Sequence, residues 1–504
     1  MDALFELIKS LTPSEKGYFK KFAAKLNDTG KNNNLLLFEA IDCQETYDEA
    51  AVKKALKKEK LANQFSVAKN YLYNSILKSL LNYHEDNSVE VTLRNHICEV
   101  DLLAARGLIG QAIKLAEKAN QLAEKYERFE VMLQLNILQR HLYLKLSPTD
   151  DKLELEPLLT DYKSIKAKLD NLTELEILLQ RQCELMLPSN HLRTGDALKM
   201  HESFFADKLL QQPVLSDCGR HVWHCIRLNY FSTIDDRKSA FTEAAALLKL
   251  CQKPGYHAIE TDTLSHLNAY NQFLHAAYYR GEWKEFEKQL ERLKNLPLKN
   301  ELDDVKRYLY YAPFALAYYD KVNNTKAVLQ LFDEAEKKLK IYRDKIREEV
   351  FLATIVTFVS GLLEYGQYDK AIDWIELYRQ SRKTKQRLDV QSMVLVLQLM
   401  AHYELGNLVL VNNIIKNIEY FISTNKQKSR FEAVALKLFR DLTTKATDKL
   451  VSSLEKLKSD LDGLATAGVI NQNRVIYPIV RAFIESKIAS IPYHEFVKQQ
   501  KVAA

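Results

Sequence analysis

The chain has 504 residues, of which 13 are glycine and 10 are proline, and 72 basic against 66 acidic residues give a net charge of +6. Glycine and proline interrupt helices and form turns and phosphate-binding loops, so their scarcity predicts an all-α protein with long helices and short connections. The charges are spread along the chain, which argues against the concentrated basic surface of a nucleic-acid-binding protein.

The cysteine pattern and the first residues predict a cytoplasmic protein. Six cysteines occur without a C-x-x-C pair, which indicates reduced thiols: Cys43, Cys98, Cys183, Cys218, Cys225 and Cys251. Residues Met1–Glu6 lack the basic and apolar regions of a secretory signal. The longest nearly uncharged stretch, Val350–Leu363, has 14 residues, so we expect a buried helix there rather than a membrane span.

Residues 1–83 differ from the rest of the chain because they contain no arginine. Thr12, Pro13 and Glu15 form a helix start, with Thr12 as N-cap, Pro13 in the first turn and Glu15 closing a capping box. Further helices are expected near 35–41, 48–60 and 64–83. The lysine-rich run 53–60 predicts a solvated helix face, since specific DNA readers rely on arginine. We therefore expect a small N-terminal domain of about four helices.

A repeat begins after this segment. Short glycine-marked or polar breaks separate helix-length segments, and several of them are 43 residues apart: Gly107, Ser147, Asn190, Thr233, Gly281, Asn323, Gly366 and Gly406. Self-similarity at a fixed period of this length is typical of stacked helical hairpins. It predicts a superhelical solenoid of antiparallel helix pairs over residues 84–462. Residues 463–504, with helices expected at 471–486 and 492–501, would cap its last apolar face.

The clearest unit carries a recognisable turn. Gly366 is followed by the aromatic Tyr368 and by Ala371, and Gly107 and Ala112 repeat part of this pattern. The pattern resembles the turn of a tetratricopeptide repeat, although these units exceed that family's usual length of about 34 residues. The resemblance implies an elongated, degenerate tetratricopeptide-like solenoid, whose first helices would line a curved peptide-binding face.

One segment has residues that could bind a metal. Cys218, His221 and Cys225 fall near one face of a predicted helix, and sulfur with imidazole is the ligand chemistry of zinc. The spacing lacks both C-x-x-C and H-x-x-x-H, and buried free cysteines are ordinary in helical cores. We therefore expect a packing role and no metal site, with metal binding as the open alternative.

The sequence contains none of the common catalytic or nucleotide-binding motifs, so the prediction is a protein that is not an enzyme and needs no cofactor. Tyrosines crowd two of the predicted first helices, where they can provide an amphipathic groove for a peptide or can pack between repeats. The candidate binding residues are Tyr270, His275, Tyr278, Tyr311 and Tyr318.

The predicted function is a cytoplasmic scaffold or adaptor that binds a protein or peptide on the curved face of the repeat array. Nucleic acid and membrane are not expected partners. The alternative is a peptide-responsive regulator whose N-terminal helical domain contacts DNA, and specific, salt-dependent DNA binding would favour it.

Overall fold

The computed structural model describes most of the chain. The described residues are 2–25, 33–56, 64–85, 88–145, 155–186, 202, 205–206, 208–256, 263–298, 301–343, 346, 348–379, 388–424, 430–466 and 476–503. Within these ranges every regular element is a helix and no strand occurs, as the composition predicts.

The chain divides into two compact units, residues 1–170 and 171–504, with one long helix contributing to both. The helices up to this one are α1 (Ala3–Ser10), α2 (Pro13–Lys25), α3 (Asn33–Asp42), α4 (Glu49–Ala55), α5 (Phe65–His84), α6 (Val89–Ala105), α7 (Ile109–Lys125), α8 (Phe129–Tyr143) and α9 (Leu155–Met186). The predicted domain boundaries, near residues 83 and 462, stay predictions.

In its described residues, the second unit contains a short 3-10 turn, Lys208–Gln211, and fourteen helices after α9. These are α10 (Asp217–Thr233), α11 (Arg237–Cys251), α12 (Thr263–Arg280), α13 (Trp283–Lys294), α14 (Glu301–Lys321), α15 (Thr325–Tyr342), α16 (Glu348–Glu364), α17 (Tyr368–Arg379), α18 (Leu388–Glu404), α19 (Leu408–Thr424), α20 (Arg430–Thr444), α21 (Thr447–Thr466), α22 (Ile476–Ile488) and α23 (Tyr493–Ala503). The two expected C-terminal helices correspond to α22 and α23.

The first five helices share a core built on large apolar side chains such as Phe19, Phe38 and Ile76. The predicted capping box is confirmed, because the Glu15 carboxylate accepts from the Thr12 backbone N–H at 2.8 Å while the Glu15 N–H donates to the Thr12 hydroxyl at 3.3 Å. The described part of the segment holds five helices rather than the expected four, since α1 precedes this cap.

The interhelix turns share one backbone geometry. Gly107, Gly281, Gly366, Gly406 and Asn323 all have a positive φ, between 56° and 75°. In each turn, the backbone N–H of the residue after the left-handed one donates to the carbonyl of the residue five positions before that donor, at 2.8–3.0 Å. This hydrogen bond is the Schellman motif. The sequence therefore located these turns correctly, and it did so because a left-handed residue selects glycine or asparagine.

Three other predicted breaks have different outcomes. Near Thr233 the left-handed residue is Asp235, two positions later, and it closes the same motif through the Asp236 N–H and the Phe231 carbonyl. The breaks predicted at Ser147 and Asn190 lie outside the described residues.

From α10 to α15, and again from α16 to α23, each helix packs against its neighbour in the chain. Between α15 and α16 the rings of Phe332 and Phe358 meet at 5.6 Å. The first helices of successive pairs, α12, α14, α16, α18 and α20, also contact one another in that order. One buried apolar cluster extends through these helices, with pairs such as Phe358 and Trp374 stacked at 5.3 Å between ring centroids. The core of this unit is therefore built from contacts between adjacent helices.

The apolar stretch Val350–Leu363 lies entirely within α16, and its described side chains are largely buried, as expected. No helix in the described ranges is both long and apolar enough to cross a membrane.

Candidate functional site

The five predicted binding residues do not form one site. Tyr311 lines a cleft between α14 and α15, whereas His275 and Tyr278 are exposed on α12. Tyr270 is only 3% exposed, and its hydroxyl accepts from the Gln252 amide at 3.2 Å. Its position favours packing over ligand contact.

The tyrosine cleft has a volume of about 770 Å³, which is within the range of pockets that hold small ligands or peptide side chains. Helices α14 and α15 form two of its walls, and the segment that follows α13 forms the third. Its lining residues are Lys294, Asn295, Leu296, Pro297, Leu298, Asp304, Arg307, Tyr308, Tyr311, Tyr319, Ala327, Gln330, Leu331, Glu334 and Lys338.

Three tyrosines give the cleft its hydroxyl groups. The Tyr311 and Tyr319 hydroxyls are 3.0 Å apart, and the Tyr308 hydroxyl donates to the Leu331 carbonyl at 3.1 Å. Burial raises the pKa of Tyr308, and burial together with the Tyr319 hydroxyl raises the pKa of Tyr311. Both groups are therefore protonated at neutral pH, and their hydroxyls are held by these hydrogen bonds.

The cleft also contains a connected set of charges. The Asp304 carboxylate is shared by the Arg307 guanidinium and by the Lys338 ammonium, the latter at 3.3 Å. Arg307 also donates to the Leu296 carbonyl at 3.1 Å, and the Lys338 ammonium lies 5.0 Å from the Tyr308 ring centroid. These contacts hold the cations at fixed positions, so the walls present charges and aromatic faces in a defined arrangement.

A separate group of aromatic side chains lies around the α12–α13 turn, and we call it the aromatic patch: His275, Tyr278, Tyr279 and Trp283. Tyr278 and Tyr279 are 43% and 38% exposed, and their rings meet edge to face at 5.5 Å. The rings of His275 and Tyr279 are 4.7 Å apart, and those of Tyr278 and Trp283 are 5.5 Å apart. Burial of its hydroxyl raises the pKa of Tyr278.

Tyr318 belongs to neither site. Its ring stacks against Phe286 at 6.2 Å, and the hydrogen bond to Glu287 raises the pKa of Tyr318 to about 12. It therefore bridges α13 and α14 as a packing residue. Tyr308 and Tyr319 are among the tyrosines that crowd α14 in the sequence, but they were not candidates, because side-chain rotamers determine which hydroxyls meet.

The cysteine- and histidine-rich segment lies on α10. Nδ1 of His221 is 3.8 Å from Sγ of Cys251, and His224 contacts the Glu243 carboxylate at 2.8 Å. Among the residues that the structure describes, no three histidine, cysteine or carboxylate side chains are placed to hold a metal ion. Burial raises the pKa of the Cys225 and Cys251 thiols to about 12 each.

These environments predict the order in which the thiols react. At pH 8 a thiol with a pKa of about 12 is ionised in roughly one molecule in ten thousand, and the thiolate is the reactive form. In the folded protein we expect iodoacetamide to label the exposed Cys43 and Cys98 first and to leave Cys225 and Cys251 unmodified until the chain is unfolded. Mass mapping of labelled peptides over time measures this. Early labelling of Cys225 would contradict its buried environment.

No protein-family model matches the chain, and comparisons with curated proteins and with solved structures give no significant match. The local geometry therefore carries the functional proposal.

Proposed function

We propose that this protein is a non-catalytic cytoplasmic scaffold or adaptor that binds a peptide segment of a partner protein in the tyrosine cleft. One observation carries the proposal: the cleft, with a volume of about 770 Å³, combines protonated tyrosines with ion-paired basic and acidic groups. Aromatic faces can take apolar side chains of a peptide, while hydroxyls and fixed charges can hydrogen-bond its backbone and polar groups.

We further propose that the helix pairs form a tetratricopeptide-like superhelical solenoid. Two observations support it: the Schellman turns recur at the predicted positions, and the first helices of successive pairs contact one another in chain order. In such an array a cleft between adjacent repeats is where an extended partner would contact several helices at once.

The proposed cytoplasmic location is supported by the cysteines, because all six lie in described parts of the chain and none is joined in a disulfide, as expected in a reducing compartment. The lysines of the N-terminal helices give no support to DNA binding. Lys16 of α2 pairs with Asp42 of α3 at 2.6 Å, and Lys69 of α5 pairs with Asp2, the N-cap of α1, so these two cations are already paired with carboxylates of the same N-terminal segment. A phosphate backbone would have to compete with these carboxylates.

A substitution that fills the cleft tests the peptide-binding proposal. Ala327 lines the cleft, so Ala327→Trp is expected to occupy its volume, whereas Lys337→Trp adds the same side chain to an exposed position of the same helix that does not line the cleft. Peptides selected from a random phage-displayed library on the wild-type protein should bind Lys337→Trp with unchanged Kd. We expect at least a tenfold loss of affinity for Ala327→Trp.

Two results would contradict this proposal. One is the selection of peptides that bind Ala327→Trp as tightly as wild type, and the other is the failure of the library to yield any specific binder. Far-UV circular dichroism of both tryptophan variants checks that their helix content matches wild type.

A further inference from the structure

Three carboxylates lie at or next to the C-terminal ends of the first helices of three successive helix pairs. Asp320, Glu364 and Glu404 lie two or three residues before the left-handed turn residue that follows α14, α16 and α18. The corresponding positions before Gly281 are Tyr278 and Tyr279, and those before Gly107 are both alanine. We call Asp320, Glu364 and Glu404 the carboxylate row.

The C-terminal helix α23 lies against this row. The Lys501 ammonium is 2.7 Å from the Asp320 carboxylate and 2.8 Å from the Glu364 carboxylate, so it joins two helix pairs. Nδ1 of His494 is 3.0 Å from the Tyr368 hydroxyl. A Cβ atom at Gly366 would lie 3.1 Å from the His494 ring, so the helix passes directly over that turn.

The start of α23 is held more firmly than its end. Tyr493 is only 1% exposed, its ring packs 5.8 Å from Phe483, and its backbone N–H donates to Glu404 at 3.4 Å. Farther along the helix the apolar contact is that of Val497, and the remaining strong contact is the partly exposed Lys501 pair. The Lys501, Asp320 and Glu364 side chains are 26–29% exposed, whereas Tyr493 is 1% exposed, so the outer part of α23 separates at a lower cost than its start.

The face of α23 that meets the row has a defined pattern. Tyr493, Val497 and Lys501 are spaced i, i+4 and i+8, which places an aromatic, an aliphatic and an ammonium group along one side of the helix. This is how an amphipathic helix binds in a groove. Asp320 and Glu364 supply the charge complementary to the ammonium, and Glu404 accepts from the backbone N–H of Tyr493.

We propose that the carboxylate row is a helix-binding site, that α23 is its intramolecular occupant, and that a lysine-bearing amphipathic helix of a partner protein displaces α23 from it. The site is separate from the tyrosine cleft, so this inference does not rest on the proposed peptide binding there. Because α23 is tethered, it competes at an effective concentration on the order of millimolar, and an incoming helix binds well only when the contacts of α23 are weakened.

A synthetic peptide of residues 490–503, labelled with fluorescein, serves as the incoming helix. Its binding to the full-length chain is measured by fluorescence anisotropy in wild type, in Lys501→Ala and in Lys498→Ala. Lys501→Ala removes the contacts of the tethered helix with Asp320 and Glu364, so we expect its Kd for the peptide to be at least fivefold lower than that of wild type. Lys498 is exposed on α23, and Lys498→Ala should match wild type.

Hydrogen exchange of the wild-type chain provides a second readout that needs no variant. Saturating unlabelled peptide should increase exchange of the α23 amides at least threefold and leave those of α12 unchanged. Absence of peptide binding to Lys501→Ala, equal affinities in all three proteins, or bound peptide without faster exchange in α23 would each overturn the proposal. The Ala327→Trp variant should bind this peptide with the same Kd as wild type. A failure of the helix-binding proposal can therefore be distinguished from a failure of the proposed peptide binding in the tyrosine cleft.

Discussion

Replacing Glu404 with glutamine is expected to lower the free energy of unfolding of the second unit by about 3–5 kcal/mol, the cost of leaving one member of a buried ion pair without its counter-charge. The Glu404 and Lys487 side chains are only 6% and 12% exposed, and they are in direct contact. Glutamine keeps the shape and the hydrogen-bond acceptor for the Tyr493 N–H. The expected loss of stability therefore comes from the Lys487 ammonium, which stays buried without a counter-charge.

A second substitution separates the charge effect from any effect of shape. Adding Lys487→Met to Glu404→Gln removes the unpaired ammonium, so the double variant should recover most of the lost stability. Urea unfolding monitored by circular dichroism measures both variants. The exposed pair of Lys370 and Asp333 is the control, and Asp333→Asn should change stability by less than about 1 kcal/mol. A double variant that is no more stable than Glu404→Gln would contradict the interpretation that the unpaired ammonium causes the loss.

The turns were predictable from the sequence because a local rule determines them. A residue with φ near 70° is strongly favoured to be glycine, so Gly281, Gly366 and Gly406 mark the ends of helices without knowledge of the fold. Where a residue other than glycine takes this conformation, the sequence marks the position of the turn less clearly. Asp235 was missed by two positions, although Asn323 was found because its polar break fits the period.

The candidate sites were only partly predictable, because they depend on contacts between helix pairs. Helical spacing shows that Tyr270 and Tyr311 are both on amphipathic helices, but it does not separate a side chain buried between helices from one that lines a cleft. The carboxylate row shows a different limit. Glu364 and Glu404 look like ordinary solvated charges until the repeats are aligned on their turns and Lys501, far along the chain, is seen to reach Glu364.

Gly361 provides the second large expected effect. A Cβ atom at this buried position in α16 would lie 3.0 Å from a methyl carbon of Leu316 and 3.2 Å from the ring of Phe332, so α14 and α15 approach α16 more closely than a larger residue permits. Gly361→Leu would force these side chains and their backbones apart. We expect it to lower the free energy of unfolding by about 3 kcal/mol, the upper part of the usual range for overpacking.

The same substitution in an open environment supplies the control that makes this result interpretable. Gly463 is a helical residue of α21, and a Cβ atom there would have no neighbour within 4 Å. Gly463→Leu should therefore raise the stability by up to about 1 kcal/mol, because glycine is the poorer helix former. If urea unfolding shows that Gly361→Leu lowers the free energy of unfolding and Gly463→Leu raises it, the loss at Gly361 comes from the close approach of three helices. A gain in stability from both substitutions would mean that α14 and α15 do not pack this closely on α16.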